Sequence, residues 1–195
     1  MKSEITYFEN VGKINTLETI KIAYERFQKG DINKIVVSST EGYTALEVIK
    51  VFKNMDAKIF VVGIDKNWDG KQRMSDEIQE TIKSHGYIVY KGFMPFEFHR
   101  FTHDLSTKYF SDAIYTFSQG MKVCIEIILM CVSGELIQTG EKVLAIAGTH
   151  HGADTAIVAT ASSLYSFSRF EINEILCKPY NPRMKVEKVT KVNEI

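Results

Sequence analysis

The chain has 195 residues, 45% of them hydrophobic, and its 24 basic and 24 acidic side chains cancel to a formal net charge of 0. That length suits one domain burying about 70% of its unfolded surface, and a neutral balance without a long run of one sign excludes a nucleic-acid footprint and a polybasic membrane patch. The N-terminal residues form no apolar signal core and no stretch reaches a membrane span, while Cys124, Cys131 and Cys177 lack CxxC spacing, so free thiols in a reducing cytoplasm are expected.

Taken in order, Tyr7-Phe8-Glu9-Asn10 is a short apolar lead-in. Asn15 then precedes Thr16-Leu17-Glu18 in an Asn-x-x-Glu arrangement that can serve as a capping box. The helix it starts carries Leu17, Ile20, Ala23, Tyr24 and Phe27 on one face, and Gly30 ends it. Asn15 is among the residues most favoured at a helix cap.

Residues Ile35 to Ser38 read as a short buried strand, and Leu46, Ile49 and Phe52 recur at helical spacing soon after. Between them lies the hydroxyl-rich loop Ser38-Ser39-Thr40-Glu41-Gly42-Tyr43-Thr44. A strand turning through such a loop into a helix aims backbone N–H groups and a positive dipole end at one point, which suits a phosphate. The hydroxyls of Ser38, Ser39, Thr40 and Thr44 add donors, and Gly42 allows close backbone approach or a positive φ. Thr40 and Thr44 also fit a plain capping role.

Lys58 to Gly63 is a second strand, followed by a polar loop with a turn at Asp69-Gly70 and a helix opened by Ser75 and closed near His85-Gly86. Tyr87 to Tyr90 is a third strand. Strands separated by helices at this interval read as repeated βαβ units, hence a three-layer α/β domain with a mostly parallel sheet. Phe93, Met94, Phe96, Phe98 and Phe101 crowd around Pro95 and read as a helical lid over a pocket or an interface. His99 and His103 stand four apart without the glutamate of a zincin-type motif, so no metal is expected.

Gly120 to Gly134 is apolar nearly all round and reads as a buried helix. Glu126 is its one acid, and Lys122 at i, i+4 is the partner such a carboxylate needs. This helix and the Phe93–Phe101 segment offer more apolar surface than one small domain readily hides, so a homo-oligomer, by default a dimer, is expected. Lys142 to Ala147 and Thr155 to Thr160 are strands four and five, joined by the glycine-flanked loop Gly148-Thr149-His150-His151-Gly152-Ala153-Asp154. Phe170 to Cys177 alternates as a sixth strand at a sheet edge, and the charged tail from Pro179 reads as loose.

The Gly42-Tyr43-Thr44-Ala45 loop after a strand resembles the effector-phosphate loop in the C-terminal α/β domain of pyruvate kinase. The wider set of matches is similar to free-standing archaeal and bacterial proteins of that C-terminal type. It comprises Tyr7-Phe8-Glu9, Asn15-Thr16-x-x-Thr19, Gly120-x-Lys122-Val-Cys-x-Glu126, Gly148-x-x-x-Gly152-Ala-Asp-Thr-Ala156 and Glu174-Ile175-x-Cys177-x-Pro179. The resemblance covers roughly residues 5 to 180 and implies a phosphorylated ligand, flavin mononucleotide (FMN) in particular. It leaves room for Asn15 and Glu126 to face that ligand, with Tyr43 and the Phe93–Phe101 segment as stacking candidates. Where the family places basic residues between its late glycines, this chain has His150 and His151. The resemblance is to a regulatory domain, and the catalytic barrel of pyruvate kinase has no room here, so that activity is not expected. A flavin-dependent oxidoreductase and a sugar-phosphate or nucleotide sensor remain as alternatives.

Overall fold

The structure, a computed structural model, describes residues 2–65, 70–97 and 104–182. Seven strands make one sheet: β1 (Thr6–Phe8), β2 (Lys34–Ser38), β3 (Lys58–Ile64), β4 (Ile88–Gly92), β5 (Lys142–Ala147), β6 (Thr155–Thr160) and β7 (Glu171–Pro179). Their order is β1-β7-β6-β5-β2-β3-β4. The pairings β1/β7, β2/β5, β2/β3 and β3/β4 are parallel, and β5/β6 and β6/β7 are antiparallel. The mostly parallel sheet expected from the spacing is therefore present.

Helices cover both faces. On one side lie α1 (Thr16–Phe27), α2 (Tyr43–Phe52) and α3 (Asp76–Ser84), whose Ile20, Ala23, Val48, Phe52 and Ile82 pack on Ile35, Val37, Ile59, Val61 and Ile146. On the other lies α5 (Gln119–Ser133), whose Met121, Cys124, Ile128 and Cys131 pack on Val36, Phe60, Val62, Val143 and Ala145. Successive strand residues thus enter opposite cores, which is why these strands read as unbroken apolar runs. The result is a three-layer α/β domain.

The outer face of α5 is closed within the chain. Its Ile125 and Leu129 meet Phe96 of a short 3-10 turn, Pro95–Glu97, and Phe96 stacks edge-on with Phe110 of α4 (Leu105–Tyr115) at 4.9 Å. An apolar helix next to a sheet therefore needs no second subunit to bury it. Sequence periodicity did not reveal α4, although Asp104 caps it by accepting from Ser106 N at 3.1 Å and Thr107 N at 3.0 Å.

Three local expectations change. The sixth strand is not at an edge, because β1 pairs outside β7 with Thr6 opposite Cys177. Asn15 stands at the N-cap position of α1 but its side chain does not cap the helix: the residue ends a 3-10 turn, Gly12–Asn15, with φ −91° and ψ −2°, and its Nδ2 donates to Asn10 O at 2.9 Å. The aromatic stretch after Gly92 is not a continuous helix in its described part, where Pro95 starts only a 3-10 turn. Asp69, Phe98, His99, Phe101, His103 and the tail from residue 183 lie outside the described residues. Among the described residues no helix is long and apolar enough to cross a membrane.

Candidate functional site

Strands β2 and β5 are parallel neighbours, with Val37 opposite Ile146, so the loops leaving their carboxyl ends meet. Ligands bind at such ends in open α/β sheets. A cavity of about 790 Å³ opens there, lined by Ser38, Ser39, Thr40, Tyr43 and Thr44 from the first loop and Gly148, Thr149, His150 and His151 from the second. Of the residues singled out in the sequence, Asn15, Gly42 and Glu126 are not part of its lining.

Gly42 has the positive φ expected of it, but its Cα faces a neighbouring helix and not the cavity. It precedes α2 with φ +97°, and a Cβ there would sit 2.3 Å from Ile78 Cγ2 of α3. The glycine permits a left-handed turn and close helix packing, and its missing side chain faces α3. Ser39, buried against this turn, donates its N–H to Val62 O at 2.9 Å and accepts Ala45 N–H on Oγ at 3.1 Å. It thereby satisfies one N–H at the start of α2 and fixes the helix end against the cavity.

The second loop is tied down by a buried carboxylate. Asp154, fully buried, accepts Gly12 N–H at 2.7 Å and Thr149 N–H at 3.2 Å on Oδ2, and the Thr155 hydroxyl at 2.9 Å on Oδ1. Ala153 N–H donates to Thr16 Oγ1 at 3.0 Å, and the Thr19 hydroxyl donates to Ala153 O at 3.3 Å. Gly152, at φ +75°, lies so close to Thr16 that a Cβ would stand 2.3 Å from its Oγ1. Two motifs far apart in the chain, Thr16-x-x-Thr19 and Gly148 to Thr155, are thus one hydrogen-bonded unit. Thr149 remains the exception. It is 4% exposed, and its Oγ1 is buried without a hydrogen-bond partner in the cavity wall.

Charge around the mouth comes from both loops and from Lys13, which sequence reasoning missed. Lys13 lies over the Tyr43 ring, 4.3 Å from its centroid, and both line the cavity. His150 adopts a left-handed φ of +57°, and His151 Nδ1 stands 3.7 Å from Glu41 Oε2 on the first loop. Arg73 lines the same cavity from the polar loop before α3. The position of Gly12-Lys13 just before the Asn15-Thr16 motif was the available signal for the first of these cations.

A second charged group lies in the α5 layer. Lys122, 2% exposed, pairs with Glu97 and lies 3.1 Å from Glu126 Oε2. Glu126, fully buried behind them, accepts Phe96 N–H at 2.9 Å on Oε1. Its Oε2 meets Lys122 as an ion pair without hydrogen-bond alignment. Burial pushes the Glu126 carboxyl up to about 7, against the pull of the Lys122 ammonium. Burial also works against the Lys122 charge, yet Glu126 and Glu97 hold its pKa above the ordinary lysine value. The expected Lys122–Glu126 pair is present, and Glu97 is the member that the sequence did not reveal. Glu97 and Lys122 line the cavity beside Phe93, Met94, Val123 and Ile127.

The family model described as "Pyruvate kinase, alpha/beta domain" matches residues 18–159, well over half of the chain. Among solved structures, one titled "Crystal structure of O-ureido-L-serine synthase" shares 12% identity, with 62% of this chain and 38% of that one covered and a TM-score of 0.31. This chain therefore spans well under half of that protein, and so weak a likeness carries no argument.

Proposed function

This chain belongs to the pyruvate kinase alpha/beta domain family, and from that premise we propose that its cavity binds a phosphorylated small molecule, FMN, without pyruvate kinase activity of its own. One observation carries the reading. Thr149 Oγ1 is buried, has no partner, and stands in the wall of a cavity that also receives the start of α2. A buried hydroxyl without a partner costs about 1–3 kcal/mol, and a phosphate oxygen at the helix terminus removes that cost. Lys13 and Arg73 supply positive charge at the same cavity. The ring of the ligand lies against Phe93, Met94, Val123 and Ile127 in the α5 layer. Cys124, Cys131 and Cys177 are free and buried, which suits a reducing cytoplasm.

Thr149→Val tests this, because a hydroxyl that serves the ligand and one that serves the fold predict opposite patterns. The valine keeps the shape and removes an unpaired hydroxyl, so the melting temperature without ligand should hold or rise. FMN affinity should fall about ten- to a hundredfold with the lost charge-assisted hydrogen bond. Unchanged FMN affinity would overturn the proposal, and mass spectrometry of any small molecule released on denaturation provides an independent check.

A further inference from the structure

We propose that Glu97 and Lys122 form a second recognition point, which takes the imide edge of a planar heterocycle, so that the ligand is a phosphorylated ring compound and not a bare sugar phosphate. The inference rests on the phosphorylated-ligand reading above and names what that ligand carries at its other end. The two ends of the cavity belong to different layers. The hydroxyl loop leads into α2 on one face of the sheet, while Lys122 sits on α5, which packs on the other.

The chemistry of the second end is not that of an anion site. Lys122 already has two carboxylates around it, Glu97 and Glu126, and a second phosphate would have to displace one of them. Glu97 and Lys122 instead offer an acceptor and a donor side by side on the cavity wall. A carboxylate accepts more than one hydrogen bond, and an ammonium donates up to three. An imide presents the complement, an N–H flanked by carbonyls. Phe93, Met94, Val123 and Ile127 line the cavity near this pair and suit the faces of a flat ring. A sugar phosphate would leave that apolar wall against water.

The test compares dissociation constants of FMN, N3-methyl-FMN and ribose 5-phosphate for the full chain and for Glu97→Gln. The glutamine has one acceptor oxygen. Lys122 takes it, and the amide NH2 then opposes the ring N–H. Glu97→Gln should weaken FMN about tenfold or more and leave ribose 5-phosphate within about twofold. N3-methylation should cost the wild type a similar factor and the variant little, since both changes remove one interaction. Equal binding of FMN and N3-methyl-FMN by the wild type would overturn the inference without relying on any variant to fold. So would unchanged FMN binding by Glu97→Gln, or parallel weakening of FMN and ribose 5-phosphate. If the wild type binds riboflavin as tightly as FMN, the phosphate reading fails, and riboflavin with its N3-methyl derivative still judges the ring-edge pair. A chain that binds no flavin overturns both.

Discussion

Replacing Glu126 by Gln should remove one pH-dependent contribution to the stability. Glu126 is fully buried, and burial raises its carboxyl from 4.5 to about 7. Between those values the folded chain holds a proton that the unfolded chain has released, so stability falls as pH rises through this window and levels off above it. Each pH unit is worth about 1.36 kcal/mol, which gives a loss of about 3 kcal/mol from pH 4.5 to pH 7. Lys122, with a raised pKa, keeps its contribution throughout this range and loses it only as pH rises through that pKa, above the ordinary lysine value. The variant has no proton to lose and retains an oxygen for Phe96 N–H, which now bonds Glu126 Oε1. For a domain of this size 1 kcal/mol corresponds to about 2–4 °C in melting temperature. Thermal unfolding at pH 5 and pH 8 should therefore show the wild type losing about 6–12 °C relative to Glu126→Gln, with other groups cancelling in the difference. A difference that does not change with pH would refute the buried, proton-holding Glu126 described here.

Gly42→Ala should destabilise the fold by about 1–3 kcal/mol through its φ of +97° and the 2.3 Å approach to Ile78, and Ile78→Ala in the same chain should recover part of that loss in denaturant midpoints. Asp154→Ala removes the acceptor shared by Gly12 N–H and Thr149 N–H; it should cost about 2–4 kcal/mol by chemical denaturation and weaken ligand binding as the second loop loosens. The exposed Leu105, Tyr109 and Phe110 of α4 and the nearby Leu164 and Tyr165 mark the face on which we expect self-association. Sedimentation should show more than a monomer at micromolar concentration and a shift to monomer in Tyr109→Glu; a wild type that stays monomeric removes this expectation.

The architecture was legible because its strands are short apolar runs punctuated by helices, and because Ser75 caps α3 through Ile78 N–H as its position suggests. The meeting of the two ligand loops depended on strand neighbours, and β2 and β5 lie more than a hundred residues apart, so only the topology joins them. Gly42 shows the limit of reading a loop alone. Its positive φ was foreseeable, but the direction of its absent side chain depends on α3, which packs against it from a distant stretch. Glu97 was hidden for a related reason, since its partner Lys122 belongs to another element and no local spacing connects them. Asn15 had the residues of a capping box and stands at the cap position of α1, yet the left-handed Gly12, at φ +77°, starts a 3-10 turn that holds Asn15 in helical geometry, with its side chain on Asn10 O and not on the helix.

The central claim is that this cavity recognises a phosphate, and the most direct measurement is a paired titration of FMN and riboflavin by flavin fluorescence at fixed ionic strength. The two share a ring and differ only in the phosphate, so their affinity ratio isolates what the start of α2, Thr149 and Lys13 contribute. The account predicts FMN tighter by about ten- to a hundredfold, the value of one charge-assisted hydrogen bond or somewhat more. Equal dissociation constants for the two would contradict it.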